Sequence, residues 1–410
     1  MKVLVVAEYY PRAHNPVLGV WAHRQAIATA DAGAEVRVLV LHRPAPSLAA
    51  VRAGDYRAVA RALRQPAHVE LDGLPVDYLR YLSPPRPWSY ESWGAWATPA
   101  LRRALRSLRI SFPFELIHAH YAVPAGDAVR RAAPQIPLIV SVHGHDVHGP
   151  GSGSATVRRT LAHSALVLAN SAGTARRCAN HGARATRVVH LGADLPSPAP
   201  VTSQTPGTPG TPGTPGTPQT SATPATPTLV SVGDLVARKR HEDVIRALAL
   251  LRERRPTIRY VIVGDGPERR RLEALAASLD LGHLVALRGQ LPHEQAIVAA
   301  RSASLFVLPS IDEAFGVAYI EAMAGGVPAI GCRGEDGPEE IAAAGGGIAL
   351  VPARDPRGLA QRIESLLSDA PALAQMGREA RITVRRRFAW ERCGRETVQA
   401  YGEVLSAHPG

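Results

Sequence analysis

Short runs of apolar, β-branched residues alternate with longer stretches whose apolar positions recur every three or four residues. In the first half the runs are KVLVVAEY, EVRVLVLH, LIHAH, LIVSVHG, ALVLANS and RVVHLG. In the second half they are TLVSVG, RYVIVG, LVALRG, SLFVLPS and PAIGC. Short, continuously apolar runs of this kind are expected of strands covered on both faces. The intervening stretches, such as HEDVIRALALLRER, have the helical period. Strand and helix therefore alternate twice over, which predicts an α/β chain of two doubly wound domains.

The halves are separated by TPGTPGTPGTPGTP, residues 205–218, within a longer Thr/Pro/Ala tract. Proline at every third position denies regular hydrogen bonding, and the tract has almost nothing to bury, so a linker is expected. The pattern divides the chain into an N-terminal domain at 1–196, the linker at 197–228, a second domain at 229–386 and a helix with tail at 387–410. That last helix, expected over 388–405, carries Trp390, Cys393, Val398, Tyr401 and Val404 as its apolar stripe. A second stretch, 92–112, places Trp93, Trp96, Leu101, Leu105 and Leu108 at helical spacing. Arg102, Arg103, Arg106 and Arg109 lie beside or opposite them, and Pro99 is expected to delay the helix start. It reads as a helix packed on its own sheet or as one resting on an anionic bilayer.

Composition changes this picture little. Of 410 residues, 46% are apolar and 20% charged, ordinary values for a globular chain. No apolar run is long enough for a membrane span, and the apolar core of MKVLVVAEYYP is too short for a signal peptide. Cys178, Cys332 and Cys393 are widely spaced and odd in number, as in a reducing, cytoplasmic protein without a disulfide framework. The net charge is +12, yet no compact basic block or interleaved aromatic platform points to nucleic acid. All but two of the 47 basic residues are arginine, which makes Lys239 conspicuous.

The stretch EAFGVAYIE, 313–321, follows an apolar strand and enters a short helix stopped by GGVP. Its two glutamates bracket a strand-to-helix turn, where open α/β sheets bind ligands. Gly316 fits a helix start whose free amides attract phosphate. Glu313 and Glu321 are pure acceptors suited to sugar hydroxyls and to a ribose diol. Capping of the helix dipole by Asp312 and Glu313, with Glu321 solvated, is the alternative. Lys239, between Arg238 and Arg240 before a helix, supplies a point charge for a diphosphate. His118 and His120 end one strand, and His143, His145 and His148 follow another. Their spacing matches no familiar zinc motif, so sugar-binding imidazoles or structural caps are favoured over a metal.

On these residues the second half resembles the nucleotide-sugar-binding domain of family 4 glycosyltransferases, retaining enzymes of the GT-B fold. Glu313 to Glu321 is the E-x7-E motif, with Phe315-Gly316 inside it and Ala322-Met323-Ala324 after it. Lys239 stands at the family's donor-phosphate lysine. The family's arginine after the first-turn glycine is replaced by Asp234, leaving Arg238 or Arg240 to compensate. In the first half, YYPRAHNPVLGVWAHRQ resembles the family's first loop and helix, and SVHGHDV its histidine loop. The particular form is similar to enzymes of teichuronic acid and other cell-surface polysaccharides.

The resemblance implies two Rossmann-like domains facing a cleft, with the last helix crossing back to the first domain. It implies Glu313 and His143 as catalytic residues, and Gly19, Arg238, Lys239, Phe315, Gly316, Val317 and Glu321 at the donor. His23 and His120 are expected at the acceptor. The expected reaction is metal-independent, retaining transfer from a nucleoside-diphosphate sugar to a hydroxyl of a glycan or lipid-linked acceptor, with no cofactor and no nucleic acid. A cytoplasmic location follows, with contact at the inner face of the membrane as its extension. A nucleotide-sugar epimerase of the same fold and a non-catalytic sugar-nucleotide-binding protein remain alternatives. A nicotinamide oxidoreductase is disfavoured because no G-x-G-x-x-G follows VLVVAEYY.

Overall fold

The computed structural model describes residues 1–44, 60, 64–148, 152–196 and 226–408. The Thr-Pro-Gly tract at 205–218 lies outside the described residues. The first domain runs β1 (Lys2–Ala7), α1 (Val20–Asp31), β2 (Glu35–His42), β3 (His68–Leu71), β4 (Leu74–Arg80), α2 (Trp93–Ser111), β5 (Leu116–His120), α3 (Asp127–Ala132), β6 (Leu138–Val142), α4 (Ala155–His163), β7 (Leu166–Ala169), α5 (Ala172–Asn180) and β8 (Thr186–Val188). Its sheet has the order β3-β4-β2-β1-β5-β6-β7-β8, parallel except for β3 on β4. The β3–β4 hairpin was not apparent from hydrophobic runs, because Glu70, Asp77 and Arg80 break its apolar pattern at the sheet edge. Its turn is Asp72-Gly73, both at positive φ, the pairing that a tight hairpin needs.

The second domain runs β9 (Thr228–Val232), α6 (His241–Leu251), β10 (Arg259–Val263), α7 (Arg269–Ser278), β11 (Val285–Leu287), α8 (His293–Arg301), β12 (Leu305–Val307), α9 (Val317–Ala324), β13 (Ala329–Cys332), α10 (Asp336–Ala344), β14 (Ile348–Val351), α11 (Pro356–Ser368) and α12 (Ala370–Arg387). Its all-parallel sheet has the order β11-β10-β9-β12-β13-β14. In each sheet the strand order reverses once near the middle, between β1 and β5 and between β9 and β12. The strand ends there diverge and leave a crevice for a ligand.

A final helix, α13 (Trp390–Ala407), leaves the second domain and packs on α1 of the first. Gly394 allows this, since a Cβ there would strike the carbonyl of Ala28. Gln25 Nε2 donates to Thr397 Oγ1 at 3.1 Å across the same contact. One apolar cluster consequently runs from Val3, Val5 and Val38 through Cys393 and Tyr401 to Phe306, Tyr319 and Ile341.

Helix α2 begins at Trp93 and runs through Pro99, against the expected late start. In the second turn proline forfeits one interior hydrogen bond, a loss the packed face offsets. That face buries Trp93, Ala97, Leu101 and Leu105 against the sheet, while Trp96 points away and is 53% exposed. Among the described residues no helix is long and apolar enough to cross a membrane.

Candidate active site in the interdomain cleft

The two crevices face each other across a cleft of about 760 Å³. One wall carries Trp21, Tyr121, His143, His145 and His148; the other carries Asp234, Arg238, Lys239, Glu313 and the turn 314–318. The second wall is built at the switch point of its sheet. After β9 the chain turns through Gly233 at positive φ and presents Lys239 in a single helical turn ahead of α6. After β12 it passes Ser310 and Glu313 and enters α9 at Gly316, whose φ of +85° lies in the left-handed region. A side chain at 316 would strike the ring of Tyr319. The first two amides of α9, at Val317 and Ala318, have no acceptor within the helix and lie beside the cleft, whereas that of Tyr319 donates to the Gly316 carbonyl at 3.0 Å.

Lys239 Nζ donates to Glu313 Oε2 at 2.5 Å, and Ser310 Oγ donates to the same oxygen at 2.9 Å. Arg238 stands 3.8 Å away. Burial raises the carboxyl pKa of Glu313, but Lys239 and Arg238 outweigh it and hold the value below the usual range. The Glu313 backbone is also fixed: its N–H donates to Glu335 Oε2 at 2.9 Å, and its carbonyl accepts from Gly337 N–H at 3.1 Å. Phe315 is buried between the rings of His190 and Phe388, at 5.6 Å from each. This turn is thereby joined to the first domain and to the segment leading into α13.

Glu321 lies apart from the cleft lining, on α9. Its Oε1 is 3.5 Å from His293 Nε2, and 15% of its side chain is exposed. Desolvation raises its pKa to about 7 against the opposing effect of Arg301. Arg240 pairs with Glu242 at 2.6 Å and Asp243 at 2.7 Å, which turns it away from the cleft. Of the two arginines beside Lys239, Arg238 is the one that lines it.

In the first domain His143 lines the cleft and shares a 2.9 Å hydrogen bond with His120. His120 is fully buried behind it. His118, deeper still, bonds Tyr401 OH at 2.6 Å and Ser141 Oγ at 2.7 Å. Burial pushes all three imidazoles down, His118 and His143 to about 3. His23 is buried, with one ring nitrogen 2.7 Å from Tyr10 OH and the other 2.8 Å from Asp72. Gly19 is buried at positive φ against the Tyr9 backbone, outside the cleft lining, two residues before the cleft-lining Trp21. Among the described residues no group of three or more His, Cys, Asp and Glu side chains is arranged to hold a metal ion.

Several cleft contacts carried no local signal in the sequence. Asn170 lines the cleft and His190 packs on Phe315 through the fold, and Trp21, within the stretch that resembles the family's first helix, was not marked there as a cleft residue. Asp336 and Glu340 join the domains, pairing with Arg177 at 3.2 Å and with His190 at 2.5 Å. In the sequence they are simply acids near a helix start.

Two family models cover the chain in succession. Glycosyltransferase Family 4 matches residues 18–196, and Glycosyl transferases group 1 matches 218–383. TuaC of Bacillus subtilis, named as a teichuronic acid biosynthesis glycosyltransferase, is 28% identical over 345 residues, covering 80% of each chain. WcaL of Escherichia coli, named for colanic acid biosynthesis, is 34% identical over 41% of this chain and 43% of its own. The exopolysaccharide phosphotransferase SCO2592 of Streptomyces coelicolor is 38% identical over 37% of this chain and 16% of its own. For the latter two relatives, the match thus spans less than half their length. Sucrose-phosphate synthase from Thermosynechococcus elongatus has the same fold, with a TM-score of 0.73 at 20% identity over 99% of this chain and 100% of that one. Anabaena Alr3699/HepE in complex with UDP-glucose gives 0.68 at 18% identity over 98% and 100%. The chain thus carries a glycosyltransferase family 4 domain at 18–196 followed by a glycosyl transferases group 1 domain at 218–383, on the two-domain GT-B architecture.

Proposed function

We propose that the protein moves a sugar from a nucleoside-diphosphate donor to a hydroxyl of a glycan or lipid-linked acceptor, in the assembly of a cell-surface polysaccharide. The reading includes retention of the anomeric configuration and independence from a metal. The observation that carries it is the Lys239–Glu313 contact at the switch point, next to the free amides of α9 and facing His143. Lys239, Arg238 and the amides around Gly316 would take the diphosphate, whose charge grows as the bond to the sugar breaks. Glu313, held through one oxygen by Lys239 and Ser310, is an acceptor for a sugar hydroxyl and poorly suited as a nucleophile. Departure and attack on the same face, with the leaving phosphate taking the acceptor proton, then accounts for retention. Glu321 would hold the ribose diol, and the first-domain wall the acceptor. His120 and His23, both buried, would act there indirectly.

UDP and UDP-glucose occupy the Anabaena relative, so uridine donors are the first to test. A thermal-shift screen of nucleoside diphosphates and their sugars should raise the melting temperature with one base. Transfer to saccharide acceptors should then be abolished by Glu313→Ala with nucleotide affinity retained. Absence of any nucleotide-dependent shift would refute the reading.

A further inference from the structure

We infer that His120 is a positioning residue that fixes the tautomer of His143, making the cleft histidine an Nδ1–H hydrogen-bond donor. The inference rests on the transfer reading only for what the donor meets, the oxygen of a sugar hydroxyl.

His120 Nδ1 and His143 Nε2 are 2.9 Å apart and their rings are coplanar within 3°. Both rings are neutral near pH 7, because burial depresses their pKa values. One proton therefore lies between them, and it belongs to one ring or the other. If it belongs to His143, His120 must carry its own proton on Nε2. That atom is buried without a hydrogen-bond partner among the described residues, and the residue is fully enclosed. His118, whose ring lies 4.6 Å away, cannot serve it, since both its nitrogens are committed to Tyr401 and Ser141. If the proton belongs to His120, the unpartnered N–H moves to Nδ1 of His143. That nitrogen is also covered, but its ring lines the cleft, where a ligand can meet it as the site fills. Each arrangement leaves one buried N–H without a partner, a rare and costly state, and only the one on His143 belongs to a ring that lines the cleft, so a filled site favours the second arrangement. His143 then carries its proton on Nδ1, and neither a general base nor an imidazolium is present there at neutral pH.

The test uses the full-length protein labelled with ¹⁵N-histidine, with signals assigned through His143→Gln and His120→Leu variants. The expected nitrogen shifts show His143 protonated at Nδ1 and bare at Nε2. His120→Asn, whose amide NH₂ takes about the place of Nδ1–H, should preserve that state; His120→Leu should abolish it. In parallel, with UDP-glucose and then other UDP-sugars as donor probes, His120→Leu should lower turnover roughly tenfold or more, the scale of one lost hydrogen bond. His120→Asn should restore most of the turnover, and the Kd for UDP should stay constant across the series. His143 protonated at Nε2 in the parent protein, or Nδ1–H persisting unchanged in His120→Leu, overturns the inference. Failure of UDP and other nucleoside diphosphates to bind would instead remove the transfer reading, and the nitrogen shifts would still decide the tautomer.

Discussion

Glu313 and Glu321 belong to one motif, yet the fold sends their acidities in opposite directions. Burial opposes charge on both. Lys239 and Arg238 overcome it at Glu313, whereas at Glu321 desolvation outweighs Arg301 and lifts the pKa to about 7. The consequences for stability have opposite sign. The contribution of Glu313 is present above the ordinary carboxyl range and is lost as pH falls through its depressed pKa. That of Glu321 is full below the ordinary range and is lost as pH rises through about 7. A protonated Glu321 also loses acceptor capacity for a diol. The affinity for UDP, measured calorimetrically, should accordingly rise between about pH 6 and 8, and Glu321→Gln should flatten the profile. Lys239 tests the other acid. Only 12% of the Lys239 side chain and 9% of the Glu313 side chain are exposed. Lys239→Ala strands a buried carboxylate and should cost about 3 kcal/mol in urea denaturation, the low end for breaking such a pair because Arg238 remains. Adding Glu313→Gln should recover part of that loss. These residues were legible in the sequence because a carboxylate pair around a turn glycine, and a lysine among arginines, are local patterns. The raised pKa of Glu321 was not, because it comes from burial in the folded chain, which Arg301 opposes only in part.

At the scale of elements, the runs EVRVLVLH and LIHAH became β2 and β5 with the same ends, since strands buried on both faces leave an unbroken apolar signal. The β3–β4 hairpin left only its Asp-Gly turn, because one-sided burial at an edge tolerates charge. Helix α13 shows what a sequence stripe can and cannot say. Trp390, Cys393, Tyr401 and Val404 are buried as expected, but nothing in the stripe indicated that the surface covered is α1 of the other domain. Two glycines of α13 separate these effects. Gly394 faces the Ala28 carbonyl, so Gly394→Ala must push the helices apart and should destabilise by about 1–3 kcal/mol. Nothing lies within 4 Å of a side chain at 402, so Gly402→Ala should stabilise by about 0.8–1 kcal/mol through helix propensity alone. Thermal or urea unfolding of the two variants gives opposite shifts if α13 docks as described; equal shifts would contradict the close helix contact.

Over the whole molecule, the excess of basic residues has an address on the first domain. The phase of α2, which the sequence left open, puts Trp93, Leu101 and Leu105 inward and leaves Trp96, Arg103 and Ile110 on the solvent face at seven-residue spacing. Trp96 is 53% exposed and Ile110 88%; Arg106 is exposed beside them, and Trp88 and Leu82 are exposed on the preceding segment. A soluble surface gains nothing from large apolar side chains held among arginines, whereas an anionic bilayer accepts both, the rings at the headgroup level and the cations at the charged surface. We therefore extend the proposal to a peripheral position on the inner face of the membrane, with a lipid-linked acceptor reaching the first-domain wall. Sedimentation with phosphatidylglycerol-containing vesicles should capture the protein, and zwitterionic vesicles should not. Arg103→Glu/Arg106→Glu should weaken capture more than tenfold, since each basic residue near such a surface is worth about 1 kcal/mol and reversal costs more than removal. Trp96→Ser/Ile110→Ser should weaken it at high salt as well, where charge is screened but apolar insertion persists. Because all four positions lie on the face turned away from the sheet, these variants should fold normally, and undiminished vesicle binding by both pairs would refute the peripheral placement.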